Sequence, residues 1–319
     1  MKILANDGIA PEGVLLLEKN GFTVSTVNVP QDQLIETIQK ENYVGLLVRS
    51  ATTARQDLID ACPNLKLIGR GGVGMDNIDV DYAKSKGLHV INTPAASSQS
   101  VAEMVMGNLF SLSRSLYNSH LLMPQSGDSE FKALKKKYGK GQELRGKTLG
   151  IVGFGRIGKA LAAYALGVGM KVIAVDTQTN PVLIPIKIEG LAEINATVQP
   201  TNKLADVIGD MDYISLHVPK QKDNSAVIDA DMISKMKDGV ILVNAARGGV
   251  VDESALISAL SSGKIRAAGL DVFENEPNPR KDILQHENIA STPHIGAATQ
   301  EAQTRIGIEL AEQIINLLK

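Results

Sequence analysis

The stretch TLGIVGFGRIGKALAAYALGVGMKVIAVD, Thr148 to Asp176, decides the fold. A β-branched run ends in Gly153-x-Gly155-x-x-Gly158, a helical stretch follows, and a second β-branched run ends in Asp176. Three glycines at this spacing are weak evidence alone, but between a strand and a helix they make a phosphate-binding turn. Gly153 permits the tight turn, Gly155 lets backbone approach a pyrophosphate without a Cβ in the way, and Gly158 lets helix and strand pack closely. The helix start offers unpaired N–H groups and the positive end of its dipole to the phosphates. Asp176 closes the next strand, where its carboxylate accepts both hydroxyls of an adenosine ribose and repels a 2′-phosphate. The expected cofactor is therefore NAD rather than NADP. Arg156, inside the turn, is a further candidate for phosphate contact.

The same alternation of strand and helix runs outward in both directions, which means parallel sheets covered by helices. Upstream, KILAND, FTVSTVN, VGLLVRS, LKLIGR and LHVINT read as strands, separated by helical runs that end near Gly or Asn. Pro11 sits where a first helical turn tolerates it. The segment SQSVAEMVMGNLFSLSRSLYNSH reads as one buried helix crossing between units, followed by the looser QSGDSEFKALKKKYGKGQELRGK. Downstream, KVIAVD, YISLHV, GVILVNA, AAGLDV and IASTPH continue the second strand series. The last helix carries Ile306, Leu310, Ile314 and Leu317 on one face and is long enough to return to the first unit. The expected architecture is α/β: two Rossmann-like or flavodoxin-like parallel-sheet domains with a cleft between them. The first is expected over 1–93 with 290–319, and the nucleotide-binding domain over 94–289. Residues 180–200, apolar and bracketed by prolines, read as a hairpin or an excursion over a sheet edge, with no function attached.

Composition narrows the function classes. A net charge of −2 gives no reason to expect nucleic acid or an anionic membrane as partner. No apolar run approaches the ~20 residues of a membrane span, and the polar Asn6-Asp7-Gly8 interrupts any signal peptide, so a cytoplasmic location is expected. The single cysteine, Cys62, excludes an intrachain disulfide and a thiolate metal cluster. It sits at a helix end and reads as an inert thiol; no metal is expected.

In an open α/β sheet, ligands lie outside the carboxyl ends of the strands. Three strand ends carry candidates: Arg247 after GVILVNA, Glu276 after AAGLDV, and His294 after IASTP. Hydride transfer to or from carbon requires a proton to move on the attached oxygen. Histidine titrates near neutrality and serves both directions. A carboxylate against its other ring nitrogen fixes the tautomer, a role open to Glu276. Arginine presents a planar fork that matches a carboxylate, so Arg247 suits a 2-oxo or 2-hydroxy acid. In the first unit, Arg49 and Ser50 end one strand. Arg70 ends another, ahead of a turn containing Gly72, Val73 and Gly74. Cations beside exposed backbone N–H groups suit a phosphate or second anion.

The motifs NAARGGVVDESALISAL, AAGLDVFENEP, STPHIGAAT with EAQTRIG, and LVRSATT with GRGGVGMDNID resemble those of the D-isomer-specific 2-hydroxyacid dehydrogenases. The resemblance covers nearly the whole chain, and the motifs are most similar to the phosphoglycerate-oxidising branch. It implies Arg247, Glu276 and His294 as the catalytic set, with Asp271 and His294 facing the nicotinamide. It also implies NAD contacts from Ile157, His217, Val218, Pro219, Ala245, Arg247 and Gly296. Arg49, Ser50, Arg70, Gly72, Val73 and Gly74 are implied on the substrate, over which the first domain closes. It further implies a homodimer joined through the NAD-binding domain. The implied reaction is NAD-dependent oxidation of D-3-phosphoglycerate to 3-phosphohydroxypyruvate, the first step of serine biosynthesis. Hydroxypyruvate or glyoxylate reduction, or the activity of another D-2-hydroxyacid dehydrogenase, is the alternative, and an NAD-sensing binding protein, like the corepressors that share this fold, a remote one. The Lys135-Lys136-Lys137 run reads as a solvated face, or as basic residues reaching a neighbouring subunit's substrate. Many members of that branch carry C-terminal regulatory domains. This chain stops at Lys319, so serine inhibition of that type is not expected.

Overall fold

Helix boundaries in the first unit follow their local chemistry. The computed structural model describes residues 1–319. Strands β1 (Lys2–Ala5), β2 (Thr23–Ser25), β3 (Tyr43–Val48), β4 (Leu67–Arg70) and β5 (His89–Asn92) alternate with helices α1 (Pro11–Lys19), α2 (Leu34–Glu41), α3 (Gln56–Ala61) and α4 (Val80–Ser85). Pro11 is the first residue of α1, where its missing N–H has no intrahelical partner to lose. Asn42 ends α2 in the left-handed conformation, φ 55°. Cys62 follows α3 and is buried, which pushes its thiol pKa up and makes it a poorer nucleophile. The strands pair in parallel in the order β2-β1-β3-β4-β5, a flavodoxin-like sheet.

Helix α5 (Ser98–Ser113) starts in the first unit and continues into the second, where α6 (Leu116–Ser126) and α7 (Phe131–Tyr138) follow. The second unit continues as β6 (Thr148–Val152), α8 (Arg156–Gly167), β7 (Lys171–Val175), β8 (Val182–Ile186), β9 (Ile194–Val198), α9 (Leu204–Val207), β10 (Tyr213–Leu216) and α10 (Ala230–Lys235). Then follow β11 (Val240–Asn244), α11 (Glu253–Ser262), β12 (Ile265–Leu270), α12 (Lys281–Leu284) and β13 (Ile289–Ser291). Its parallel sheet runs β13-β12-β11-β10-β6-β7. From β6 the chain first builds outward to β7, then returns to place β10 on the other flank of β6. This is the switch point at which doubly wound sheets bind ligands.

The two units comprise residues 1–100 with 297–319, and residues 101–296. They differ from the expected boundaries at both crossings. At the second crossing the reason is visible: β13 pairs with β12, so residues 289–291 stay in the second sheet. The last helix, α13 (Gln300–Leu318), then returns to the first unit. Its Ile306, Leu310 and Ile314 join Ile3, Leu17 and Leu47 in one core, while Leu317 remains 40% exposed. Glycines allow α13 and α1 to touch: a Cβ at Gly13 would lie 2.5 Å from the Gly307 carbonyl oxygen.

Two local features depart from, or complete, the sequence reading. The expected single helix over 98–120 is broken at Ser115, φ 52°. The Ser113 hydroxyl donates to the Leu109 carbonyl, a local bond that competes with helix continuation, and its Oγ lies 3.1 Å from Tyr213 Oη, which is free to donate to it. Residues 182–198 form an antiparallel hairpin, β8 with β9. Ile184 and Val198 bury against Leu161, Ala162 and Ala165 of α8, whereas Leu183, Ile188, Leu191 and Ile194 stay exposed. No helix of the chain is long and apolar enough to cross a membrane.

Candidate active site

The glycine turn after β6 is built as its spacing requires. Gly153 has φ 93°, and a Cβ there would collide with the His217 carbonyl. A Cβ at Gly158 would strike the Gly153 carbonyl and lie 3.1 Å from Ile151 Cγ2, so α8 rests directly on its own strand. Gly155 is the N-cap of α8 and faces open space, leaving the N–H groups of that helix start approachable. Arg156 and Ile157 follow in the first turn, the arginine exposed and the isoleucine half-buried.

Asp176, just after β7, ties the turn down. Its Oδ2 accepts from Phe154 N at 2.6 Å and its Oδ1 from Gln178 N at 3.0 Å. Burial would push this carboxyl up, but the hydrogen bonds from Gln178, Phe154 and Thr177 prevail and hold it below the usual range. It is therefore charged, with acceptor capacity left for ribose hydroxyls. Across the switch point, His217 follows β10. Its Nε2 lies 2.8 Å from Ser215 Oγ, and burial pushes its pKa down to about 4, so the ring is neutral near pH 7. His217 Nδ1 is buried without a hydrogen-bond partner beside the glycine turn. Val218 is half-buried and Pro219 exposed in the same segment. An open helix start, an orphaned buried ring nitrogen and a charged strand-end carboxylate fit a dinucleotide.

Three loops beyond β11, β12 and β13 carry the candidate residues Arg247, Glu276 and His294. His294 Nδ1 lies 2.8 Å from Glu276 Oε2. An ionised carboxylate only accepts, so a proton on Nδ1 makes this hydrogen bond and leaves Nε2 without one from Glu276. Glu276 is itself held, its Oε1 accepting from Phe273 N at 2.9 Å. The imidazole is 44% exposed and so reachable. His294 has φ 53°, a left-handed conformation unusual for a non-glycine residue. Asp271, 2% exposed, holds it there: its Oδ1 accepts from Thr292 Oγ1 at 2.6 Å and Ile295 N at 2.9 Å, and its Oδ2 from Gly296 N at 2.8 Å. Gly296 is buried, and a Cβ there would lie 3.0 Å from Asp271 Oδ2.

Arg247 sits in the turn after β11, beyond the half-buried Ala245. Asn244 shapes that turn, its Nδ2 donating to the Arg247 carbonyl at 3.0 Å and its Oδ1 accepting from Ala246 N at 3.1 Å. The Arg247 Nη1 donates to the Ala246 carbonyl at 2.7 Å. Any side chain at Gly248 would collide with the Phe273 carbonyl, so the arginine turn packs directly against the glutamate turn.

In the first unit, Arg49 and Arg70 leave adjacent strands, with Val48 opposite Arg70 in the β3–β4 register. Both arginines flank the glycine turn. A Cβ at Gly72 would lie 2.6 Å from Arg70 Nη1, and one at Gly71 would lie 3.6 Å from Arg49 Cγ. Burial pushes the Arg49 guanidinium below its usual value, opposed by the Asp7 carboxylate. That carboxylate also accepts from Arg49 N at 2.6 Å. Ser50 and Val73 are exposed and Gly74 half-buried.

Comparison with known proteins follows this division. Residues 106–296 match the model of the D-isomer specific 2-hydroxyacid dehydrogenase, NAD binding domain. The chain belongs to the D-isomer specific 2-hydroxyacid dehydrogenases. This dehydrogenase is 43% identical to a hydroxypyruvate reductase of Thermotoga maritima, over 99% of its own length and 98% of the relative's. It is 39% identical to a D-3-phosphoglycerate dehydrogenase of Archaeoglobus fulgidus, over its full length but only 58% of the relative's. A solved D-lactate dehydrogenase of Aquifex aeolicus, complexed with NAD and lactic acid, superposes with a TM-score of 0.75 at 30% identity, covering 98% of this chain and 94% of that one. The enzyme is an NAD-dependent oxidoreductase acting on D-2-hydroxy acids.

Sequence reasoning missed three supporting residues of this dehydrogenase. Gly248 was visible only as half of a glycine pair, and its demand comes from Phe273 on another strand end. Thr292 bonds Asp271 across 21 positions. Glu253 looks like an ordinary acidic residue in the first turn of a helix, yet it is buried. No local pattern marks any of them.

Proposed function

We propose that the enzyme interconverts D-3-phosphoglycerate and 3-phosphohydroxypyruvate. NAD, when bound, would accept the hydride that leaves substrate C2 in oxidation, and NADH would return it in reduction. His294 Nε2 takes the hydroxyl proton in oxidation and returns it to the carbonyl oxygen in reduction. Glu276 accepts from Nδ1–H and stabilises the imidazolium that forms. Arg247 holds the substrate carboxylate through its fork. Gly153, Gly155, Arg156, Ile157 and Gly158 cradle the pyrophosphate, Asp176 takes the ribose hydroxyls, and His217, Val218, Pro219 and Ala245 line the same switch point. Asp271 and Gly296 act on the nicotinamide end by fixing the His294 loop.

The observation that carries the substrate reading is the pair of guanidiniums, Arg49 and Arg70, flanking the turn of Gly72, Val73 and Gly74, with Ser50 alongside. Two cations beside one turn exceed what a 2-hydroxy acid's own carboxylate requires and suit a phosphate. Arg49→Gln and Arg70→Gln are each expected to lower kcat/KM for phosphohydroxypyruvate about 10- to 100-fold. Hydroxypyruvate reduction should stay within about threefold. The second reading, hydroxypyruvate reduction, is favoured by the Thermotoga relative that matches end to end. A wild-type preference for hydroxypyruvate, with both variants losing equally on both substrates, selects it.

The same proposal includes self-association through the second unit. Not one residue of α6 is buried, and Leu116, Leu121 and the nearby Phe131 of α7 are 53, 46 and 57% exposed. A helix this short is marginal in water without a covered face, and a second copy is the occupant the family suggests. Sedimentation should give twice the chain mass, and Leu121→Glu should shift it towards the monomer. A monomeric wild type at micromolar concentration overturns this.

A further inference from the structure

One buried carboxylate outside the residues assigned so far joins the two catalytic turns. Glu253 is the first residue of α11, directly after its N-cap Asp252. The Asp252 Oδ1 already accepts from Ser254 N and Ala255 N, each at 2.9 Å, so the helix start does not need a second acid. Glu253 nevertheless turns inward and is 4% exposed. Its Oε1 accepts from Glu274 N at 2.9 Å, and its own N–H donates to Glu274 Oε1 at 3.2 Å. Its Oε2 is buried without a hydrogen-bond partner. Burial pushes this carboxyl up, the Glu274 N–H opposes the rise, Glu274 and Asp282 add to it, and Arg280 opposes it. A glutamate turned to solvent at the same position would avoid the desolvation cost, so the inward rotamer needs a reason.

The reason lies two residues on. Glu274 shares its turn with Glu276, whose Oε2 meets His294 Nδ1. Glu253 in turn ends the segment that starts at Arg247, and Gly248 of that segment already abuts Phe273. The reciprocal bonds between Glu253 and Glu274 are a second fastening of one turn to the other.

We propose that Glu253 is a positioning residue for proton transfer: it clamps the turn bearing Glu276 to the segment running from Arg247, and so sets Glu276 against His294. This rests on the acid–base roles proposed above. The test measures kcat, KM for NADH and the pH profile of ketoacid reduction in Glu253→Ala, Glu253→Gln, Glu276→Gln and the double variant Glu253→Ala/Glu276→Gln. Rates are normalised to sites titrated with NADH. Glu253→Ala is expected to lower kcat about 10- to 100-fold, the scale of a misplaced supporting group, with KM for NADH within threefold. Its pH profile should match that of Glu276→Gln. Glu253→Gln keeps a carbonyl oxygen for Glu274 N and should restore kcat to within about threefold of wild type. In the Glu276→Gln background the alanine should cost nothing further, because it acts through that glutamate. The proposal is overturned by wild-type kcat in Glu253→Ala, by equal loss in the Gln and Ala variants, or by a full additional loss in the double variant. Wild-type turnover in Glu276→Gln alone is a separate failure, which removes the acid–base reading itself.

Discussion

Replacing His294 with alanine is expected to lower turnover about 10²- to 10⁴-fold, the usual contribution of a positioned general acid–base, while NADH binds within a few-fold of wild type. The separation follows from where the groups sit. The glycine turn, Asp176 and His217 belong to the β6, β7 and β10 ends, whereas the imidazole is carried by the loop after β13. His294 is 44% exposed and bonded through Nδ1 only to Glu276, so its removal deletes the imidazole without opening the core. Alanine retains the backbone bonds of Ile295 and Gly296 to Asp271, which keeps the loop in place. Single-turnover reduction, read by NADH absorbance alongside fluorescence titration of NADH, checks both halves. Turnover within threefold of wild type removes His294 from the chemistry.

That site was legible because its parts obey two local rules. A glycine turn between strand and helix has few other uses, and residues just past strand ends face the ligand crevice. Asn42 and Pro11 likewise ended and began helices for reasons contained within one turn. What was not legible depends on partners far along the chain. The break at Ser115 involves Tyr213, and the boundary near 296 depends on β13 pairing with β12. Glu253 reads as helix decoration until the turn of Glu274 is folded against it. Gly296 is similar: its place in a small-residue run suggests a surface for the cofactor, while its tight fit is to the Asp271 carboxylate.

Asp271→Ala is expected to be the most damaging single change in the second unit, although its carboxylate makes no bond to His294. Three donors, Thr292 Oγ1, Ile295 N and Gly296 N, converge on this side chain, which is 2% exposed. Alanine strands the buried Gly296 N–H at about 1–3 kcal/mol and leaves two part-buried donors dependent on water, so stability should fall by roughly 2–5 kcal/mol. The loop they hold includes His294 at φ 53°, a conformation that costs a non-glycine residue about 1–2 kcal/mol and persists only under restraint. Released, the imidazole leaves Glu276, and turnover should fall at least as far as in His294→Ala. Asp271→Asn separates packing from charge. Its single carbonyl oxygen can serve Thr292 and Ile295, but its amide then points a donor at the Gly296 N–H, so the asparagine variant should fold yet lose most of its turnover. Urea unfolding with steady-state rates on both variants is the measurement. If Asp271→Ala kept its unfolding free energy within 1 kcal/mol of wild type and its rate within threefold, the loop would have to owe its shape to something other than this carboxylate.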